Sequence, residues 1–339
     1  MPIIGTSYNV RMLQSLAKIV AALAVITAVA VGGAWAWYFV ILPPDLPVPD
    51  IAIERTPERV ARGEYLATAV FGCMYCHSER DWSLFGAPPK PGTLGKGGER
   101  FDQSVGVSGV LIAPNITPHN LGDWSDGEVY RAIISGLHKD GYAFFPIMPF
   151  DVYLHLETED VYSIIAYLRT LEPIESEFSG RRMTRLMTFI AHSRVLPADP
   201  WEIDKADPVQ RGEYLARIAG CRFCHTPANE RMQPYEDQRF AGGLRMLAPG
   251  DDGPRGVYSA NVTPDIETGI GNWTVEQFIA RFKAYQGARI PVTETGFQTQ
   301  HAWTEYAKIT ESDLADIYAY LMSHPPVRNA VDPAGGPER

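Results

Sequence analysis

All four cysteines of this 339-residue chain fall in two copies of one five-residue pattern, CMYCH (Cys73, Cys76, His77) and CRFCH (Cys221, Cys224, His225), so none remains for a disulfide. Two thiols followed at once by an imidazole can add to the two vinyl groups of a porphyrin while the imidazole takes the iron from one side. That is the chemistry of covalent c-type haem attachment. The alternatives are a thioredoxin-like redox pair or half of a zinc site. A zinc ribbon also pairs two such knuckles, but usually within a few tens of residues, and these lie almost 150 residues apart. The spacing therefore predicts two covalently attached haem c groups.

The elements that must position them repeat as well. RGEYLATAVFGCMYCHS from Arg62 returns as RGEYLARIAGCRFCHT from Arg211, with one residue fewer before the cysteines. NITPHNLGDWSDGEVYRAI from Asn115 returns as NVTPDIETGIGNWTVEQFIARF from Asn261, and ETEDVYSIIAYLRTLEP from Glu157 as TESDLADIYAYLMSHPP from Thr310. One unit is used twice. In its last segment Val161, Ile164, Ile165, Leu168 and Leu171 recur at helical spacing, as do Leu314, Ile317, Tyr318 and Leu321, with Thr158 and Thr310 placed to cap the helices. The Arg-Gly-Glu-Tyr-Leu run also reads as a helix, and Pro and Gly are too frequent between the two for long strands. An all-α fold follows.

A composition 45% apolar and 11% aromatic suits well-buried cores, and a formal net charge of -10 argues against nucleic acid and for basic protein surfaces as partners. Residues 19–42 form an uncharged apolar run that would extend about 36 Å as a helix, enough to cross a hydrocarbon core of about 30 Å. A cleaved signal peptide is the rival, with Arg11 and Lys18 as its basic start and AWA at 34–36 as its cleavage site. The length of the run and the belt of Trp35, Trp37, Tyr38 and Phe39 favour an uncleaved anchor, basic end cytoplasmic and the rest periplasmic. The predicted order is a cytoplasmic N-terminus (1–18), a single transmembrane helix (19–42), a stiff Pro-rich spacer lifting the chain off the bilayer (43–56), one haem domain (57–175), a linker (176–207), a second haem domain (208–327) and a flexible tail (328–339).

The succession Cys-x-x-Cys-His, Asn-x-Thr-Pro, Trp, Met-Pro and the closing IxAYLR resembles the cytochrome c domains of membrane-bound bacterial dehydrogenases, such as the cytochrome subunits of alcohol and gluconate dehydrogenases. The resemblance covers roughly residues 57–327. Those subunits commonly carry three haems, so it extends to the domain type and not to the whole subunit. It implies a sixth iron ligand from a loop before the closing helix. Met148 in PIMPF, twelve residues before Asp160, fits that place, against the plainer reading of a core methionine. Twelve residues before the corresponding Asp313 stands His301, in HAW where the family usually shows Met-Pro-Trp. Competing candidates are Met246, Met322 and His324, an iron left five-coordinate, or a surface histidine. Asn115, Trp124, Asn261 and Trp273 recur in both copies; they suit hydrogen bonds to haem propionates and a structural role in the loops equally well.

The expected function is single-electron transfer by a dihaem cytochrome of the bacterial inner membrane, between a larger redox complex (dehydrogenase, respiratory or photosynthetic) and another cytochrome or small redox protein. The expected alternatives are an enzyme, such as a dihaem thiosulfate dehydrogenase or peroxidase, and the dihaem subunit of a haem-copper oxidase. His119, His138 and His155 have no counterpart in the second copy and read as surface or loop residues. His192 lies in GRRMTRLMTFIAHSRVL, a basic amphipathic stretch suited to lipid headgroups, to a partner, or to packing over a haem edge.

Overall fold

The computed structural model describes residues 6–37, 46–103, 107, 109–176, 181–229, 232–248, 255–332 and 336–337. Helix α1 (Thr6–Ala36) comes first, and Met12–Ala36 is long and apolar enough to cross a membrane, with its side chains exposed throughout. Residues 38–42, with Tyr38 and Phe39 of the predicted belt, lie outside the described residues, as do 1–5 and 43–45. From Leu46 the predicted spacer does not stand free. Arg131 donates to the Leu46 carbonyl at 2.9 Å, the Ile53 amide donates to Asp126 at 3.0 Å, and the Pro49 backbone crosses Gly127 where a Cβ would lie 1.9 Å from the Pro49 oxygen.

The first half comprises α2 (Pro57–Tyr65), α3 (Cys73–Cys76), α4 (Pro118–Leu121), α5 (Asp126–Ser135), α6 (Phe150–Tyr153) and α7 (Thr158–Leu168). Helix α8 (Arg185–Ser193) lies between the halves. The second half comprises α9 (Pro208–Ile218), α10 (Cys221–His225), α11 (Val275–Lys283), α12 (Val292–Thr295), α13 (Trp303–Tyr306) and α14 (Glu311–Met322). The strands are two to four residues long. β1 (Arg100–Phe101), β2 (Val110–Ile112) and β3 (Arg181–Arg182) form one antiparallel sheet in that order; β4 (Arg245–Ala248) pairs with β5 (Arg255–Tyr258), and β6 (Val331–Asp332) with β7 (Gly336–Pro337).

Helix ends follow side-chain chemistry. Thr56 and Asp207 cap α2 and α9, each with proline in the first turn, and reciprocal capping boxes, Ser125 with Glu128 and Thr274 with Gln277, start α5 and α11. Thr310 caps α14 as expected, its hydroxyl accepting from the Asp313 amide at 3.2 Å. Thr158 does not cap α7: the capping position is Glu157, which makes no side-chain capping bond, and Thr158 is the first helical residue. The extra residue of the first copy is absorbed as a π-turn over Leu66–Val70, closed by the Phe71 amide on the Leu66 carbonyl at 2.9 Å, where α9 runs straight.

The repeated Arg-Gly-Glu-Tyr explains how each half closes. At Gly63 an added Cβ would lie 1.8 Å from the Ser163 carbonyl oxygen, and at Gly212 1.9 Å from that of Asp316, so only glycine lets α2 lie on α7 and α9 on α14. Arg62 binds Asp160 through two bonds, at 2.9 and 3.0 Å; Arg211 binds Asp313 at 2.7 Å. The tyrosines then cross over. Tyr65 donates to Asp313 of the other half at 2.6 Å and Tyr214 donates to Asp160 at 2.8 Å, a reciprocal clasp. Both halves contribute to one buried core, with Leu66, Val161 and Ile165 on one side and Leu215, Leu314 and Ile317 on the other.

Linker and tail are also built in. Asp199 and Trp201 amides donate to the Leu154 and His155 carbonyls, and the His155 ring packs on Trp201. The predicted flexible tail is fixed at its start. The Asn329 carboxamide donates to the Ala241 carbonyl at 2.9 Å and its amide to Thr268 at 2.9 Å, because this asparagine satisfies groups in the loop after α10.

Candidate functional site

Each Cys-x-x-Cys-His motif forms a single helical turn entered through a left-handed glycine, Gly72 at φ 65° and Gly220 at φ 73°. The motif histidines are fixed identically. His77 Nδ1 donates to the Pro114 carbonyl at 2.8 Å and His225 Nδ1 donates to that of Ala260 at 2.7 Å, in both cases the residue just before Asn-x-Thr-Pro. A carbonyl can only accept, so the proton lies on Nδ1 and the lone pair on Nε2 is left for a metal. Burial pushes both imidazoles below their ordinary pKa, offset in part by these carbonyls. All four cysteines are free and half-buried, and burial pushes the Cys73 and Cys221 thiols up to about 12.

His301 lies opposite His225, the ring centres 6.3 Å apart and the planes at 82°. Two imidazole–metal bonds of about 2.0–2.1 Å in line, with each nitrogen about 1.1 Å from its ring centre, set two ring centres about 6.3 Å apart. The observed separation of the ring centres matches that value. His301 is half-buried, its buried Nδ1 has no hydrogen-bond partner among the described residues, and Trp303, Tyr306 and Phe282 surround the ring at 4.0, 5.1 and 6.2 Å. Burial, with His225 and Arg281 nearby, pushes its pKa down to about 3, so the ring is neutral and a lone-pair donor at ordinary pH. Among the described residues no three His, Cys, Asp or Glu side chains converge, so the zinc alternative has no ligand set there.

Met148 occupies the equivalent backbone position in the first half, half-buried against the core. Its carbonyl accepts from the Phe150 amide at 2.8 Å as that of His301 does from Trp303 at 2.8 Å. Five residues on in each copy, Tyr153 donates to Phe71 and Tyr306 to Ala219, both carbonyls two residues before the first cysteine. These tyrosines tie each ligand loop to its motif. Sequence reading passed over them, although their shared distance from Met148 and His301 was visible.

The recurring asparagines turn out to be fully engaged within the protein. Asn115 accepts from the Thr117 amide and hydroxyl and donates to Ile174 and Ser176; Asn261 accepts from Thr263 and donates to Thr268, Val327 and Asn329. They brace the loop that carries the Pro114 and Ala260 carbonyls. Trp124 is buried with its ring 4.6 Å from His138, which lies in the loop after α5 and stacks on Tyr142. Trp273 packs against the core, and its carbonyl accepts from Tyr318.

The two sites touch. The loop after the first motif clamps the segment leading to His301: Phe85 donates to the Ile290 carbonyl at 2.8 Å, Val292 to that of Ser83 at 2.9 Å, and Gln298 to those of Trp82 and Leu84. The Tyr75 hydroxyl reaches the Gln300 carbonyl, and a Cβ at Gly86 would lie 3.1 Å from the His301 oxygen. Arg80, buried against Tyr75, Trp82 and Glu99, completes this seam. Nothing in the repeat marks it, since the second copy has Ala228 in its place.

No family model matches the sequence. It is 28% identical over 290 residues to the fructose dehydrogenase cytochrome subunit of Gluconobacter japonicus, covering 78% of this chain and 52% of that one. It is 28% identical over 282 residues to the gluconate 2-dehydrogenase cytochrome c subunit of Pantoea cypripedii, covering 78% and 59%. The chain is a homologue of cytochrome c subunits. It also matches a diheme cytochrome c-type protein of Cereibacter sphaeroides, 28% identical over 257 residues and covering 73% and 79% of the two chains. The chain spans between about half and three fifths of the dehydrogenase subunits it matches. Haem c is the group these relatives imply, and the free cysteines, the polarised motif histidines and the facing His301 fit it.

Proposed function

We propose that this cytochrome is a membrane-anchored, periplasmic dihaem protein that passes single electrons between the catalytic subunit of a membrane dehydrogenase complex and another redox carrier. The observation that carries the reading is the placement of the His301 ring 6.3 Å from the His225 ring, beside two free cysteines. Cys73 and Cys76 would hold one haem and Cys221 and Cys224 the other, and His77 with Met148, and His225 with His301, are the side chains that would ligate the two irons. Bound haem supplies one-electron chemistry, and the chain supplies ligands, burial and the closeness of the two sites. The names of the fructose and gluconate dehydrogenase relatives support a dehydrogenase partner. The apolar α1 with Arg11 and Lys18 before its core fits a single anchor in the inner membrane with a cytoplasmic N-terminus. An enzyme with a reachable iron would need an open position, and the aromatic cage around His301 speaks against one.

In denaturant the intact mass should exceed the 37.6 kDa polypeptide by two haems, with Cys73→Ala and Cys221→Ala each impairing one attachment. Electron paramagnetic resonance should show two low-spin irons. A chain without covalent haem, or with a high-spin iron that binds cyanide readily, would overturn the assignment.

A further inference from the structure

Helix α8 is amphipathic in a way the haem sites do not use. Met187, Ala191 and Val195, spaced by four, are buried against the first half, where Gly109 leaves room: a Cβ there would lie 2.8 Å from the Met187 sulfur. The opposite face is apolar and in the open, with Leu186 67% and Phe189 36% exposed, and Leu196 just beyond the helix 51% exposed. Flanking it are the exposed Arg182, Arg185 and Arg194. From Phe178 to Ala198 the chain has four arginines and no acidic residue, although its net charge is -10.

What covers this face follows from its neighbour. The Phe189 ring lies 6.1 Å from that of Trp37, the residue following the last of α1. Phe189 is thereby held at the level where α1 leaves the hydrocarbon layer, the depth at which an aromatic ring and arginine headgroup contacts are both accommodated.

We propose that α8 is a second membrane contact: it lies in the interface beside α1, with Leu186, Phe189 and Leu196 in the acyl region and Arg182, Arg185 and Arg194 on anionic phospholipid headgroups. This rests on reading α1 as a membrane span. The consequence is orientational. A single helix followed by a flexible joint would let the haem domains swing, whereas two contacts fix which face of the first half meets the bilayer.

The full-length holoprotein in phosphatidylcholine–phosphatidylglycerol nanodiscs tests it, with nitroxide labels placed one at a time by Leu186→Cys, Leu196→Cys, Val25→Cys and Ile266→Cys. Ile266 is 64% exposed in the second half, and Val25 lies within α1. Oxygen-over-nickel accessibility should be severalfold higher at 186 and 196 than at 266. Combined Arg182→Glu, Arg185→Glu and Arg194→Glu should bring it down toward the value at 266, while the visible spectrum stays unchanged. Lipid-like accessibility at 25 with water-like values at 186 and 196 overturns the second contact and leaves the anchor intact. Water-like values at 25 overturn the anchor itself. Immersion at 186 that ignores the arginine reversals overturns the headgroup assignment.

Discussion

His301 decides how the second site differs from the first. A thioether favours ferrous iron and Met/His coordination raises a haem potential, so the site with two imidazoles should be the lower of the two. His301→Met should raise the lower wave of a potentiometric titration and Met148→His should lower the upper one. Each 59 mV of separation is about a tenfold bias in where an electron resides. If His301→Met moves neither wave nor the low-spin signals, His301 is not a ligand. Acid supplies an independent test. The folded imidazole titrates at about 3 against an ordinary 6.5, so between those values the unfolded chain binds a proton that the folded site refuses. Stability should therefore fall as pH drops from 6.5, by up to about 1.4 kcal/mol per unit, and His301→Met should flatten that acid limb in thermal melts. The histidine's place could be read because the repeat supplies a ruler between Asp160 and Asp313. Its aromatic cage could not, since Phe282 and Trp303 come together only through the packing of α11 against the ligand loop.

At the scale of elements the fold turns on two glycines. Gly63→Ala and Gly212→Ala put a methyl group into backbone oxygens 1.8 and 1.9 Å away, so the helix pairs must separate although alanine is the better helix former. Overpacking of this kind costs about 1–3 kcal/mol or more, and each variant should melt several degrees lower. Gly32→Ala in α1, where nothing lies within 4 Å, should leave the melting point unchanged. Helical periodicity made α7 and α14 legible, and Thr310 was recognisable as a cap. The π-turn at Leu66–Val70 had a visible cause, the one-residue insertion, but an insertion could equally have lengthened a loop. The docking of residues 46–53 and of Asn329 on the protein was not legible, for one reason. Pro-rich or Gly-rich composition describes the stiffness of a free chain, and it does not reveal that Gly127 or the Ala241 carbonyl offers a place to dock.

For the whole molecule the reciprocal tyrosines are the test of how the halves hold together. Tyr65→Phe and Tyr214→Phe each remove a hydroxyl that donates to a carboxylate of the other half, a bond worth about 1.5–3 kcal/mol. The two bonds use different acceptors, so the double variant should lose about the sum of the single losses in denaturant midpoints. Limited proteolysis of the double variant should cut between Leu196 and Pro208 sooner than in the wild type. The duplication itself was plain in the sequence, but contacts between copies leave no periodic trace. The seam in which Ser83 and Phe85 pair with Ile290 and Val292 carries this furthest. A repeat whose second member is moulded on its first has ceased to be a cassette. Synthesis makes the N-terminal half first, so the edge at Ser83 and Phe85 exists before the Ile290–Val292 segment that pairs with it and leads to His301. Cutting the gene between the copies would leave neither piece whole: the first would lack the Tyr214 hydroxyl on Asp160, and the second the edge beside which His301 is set.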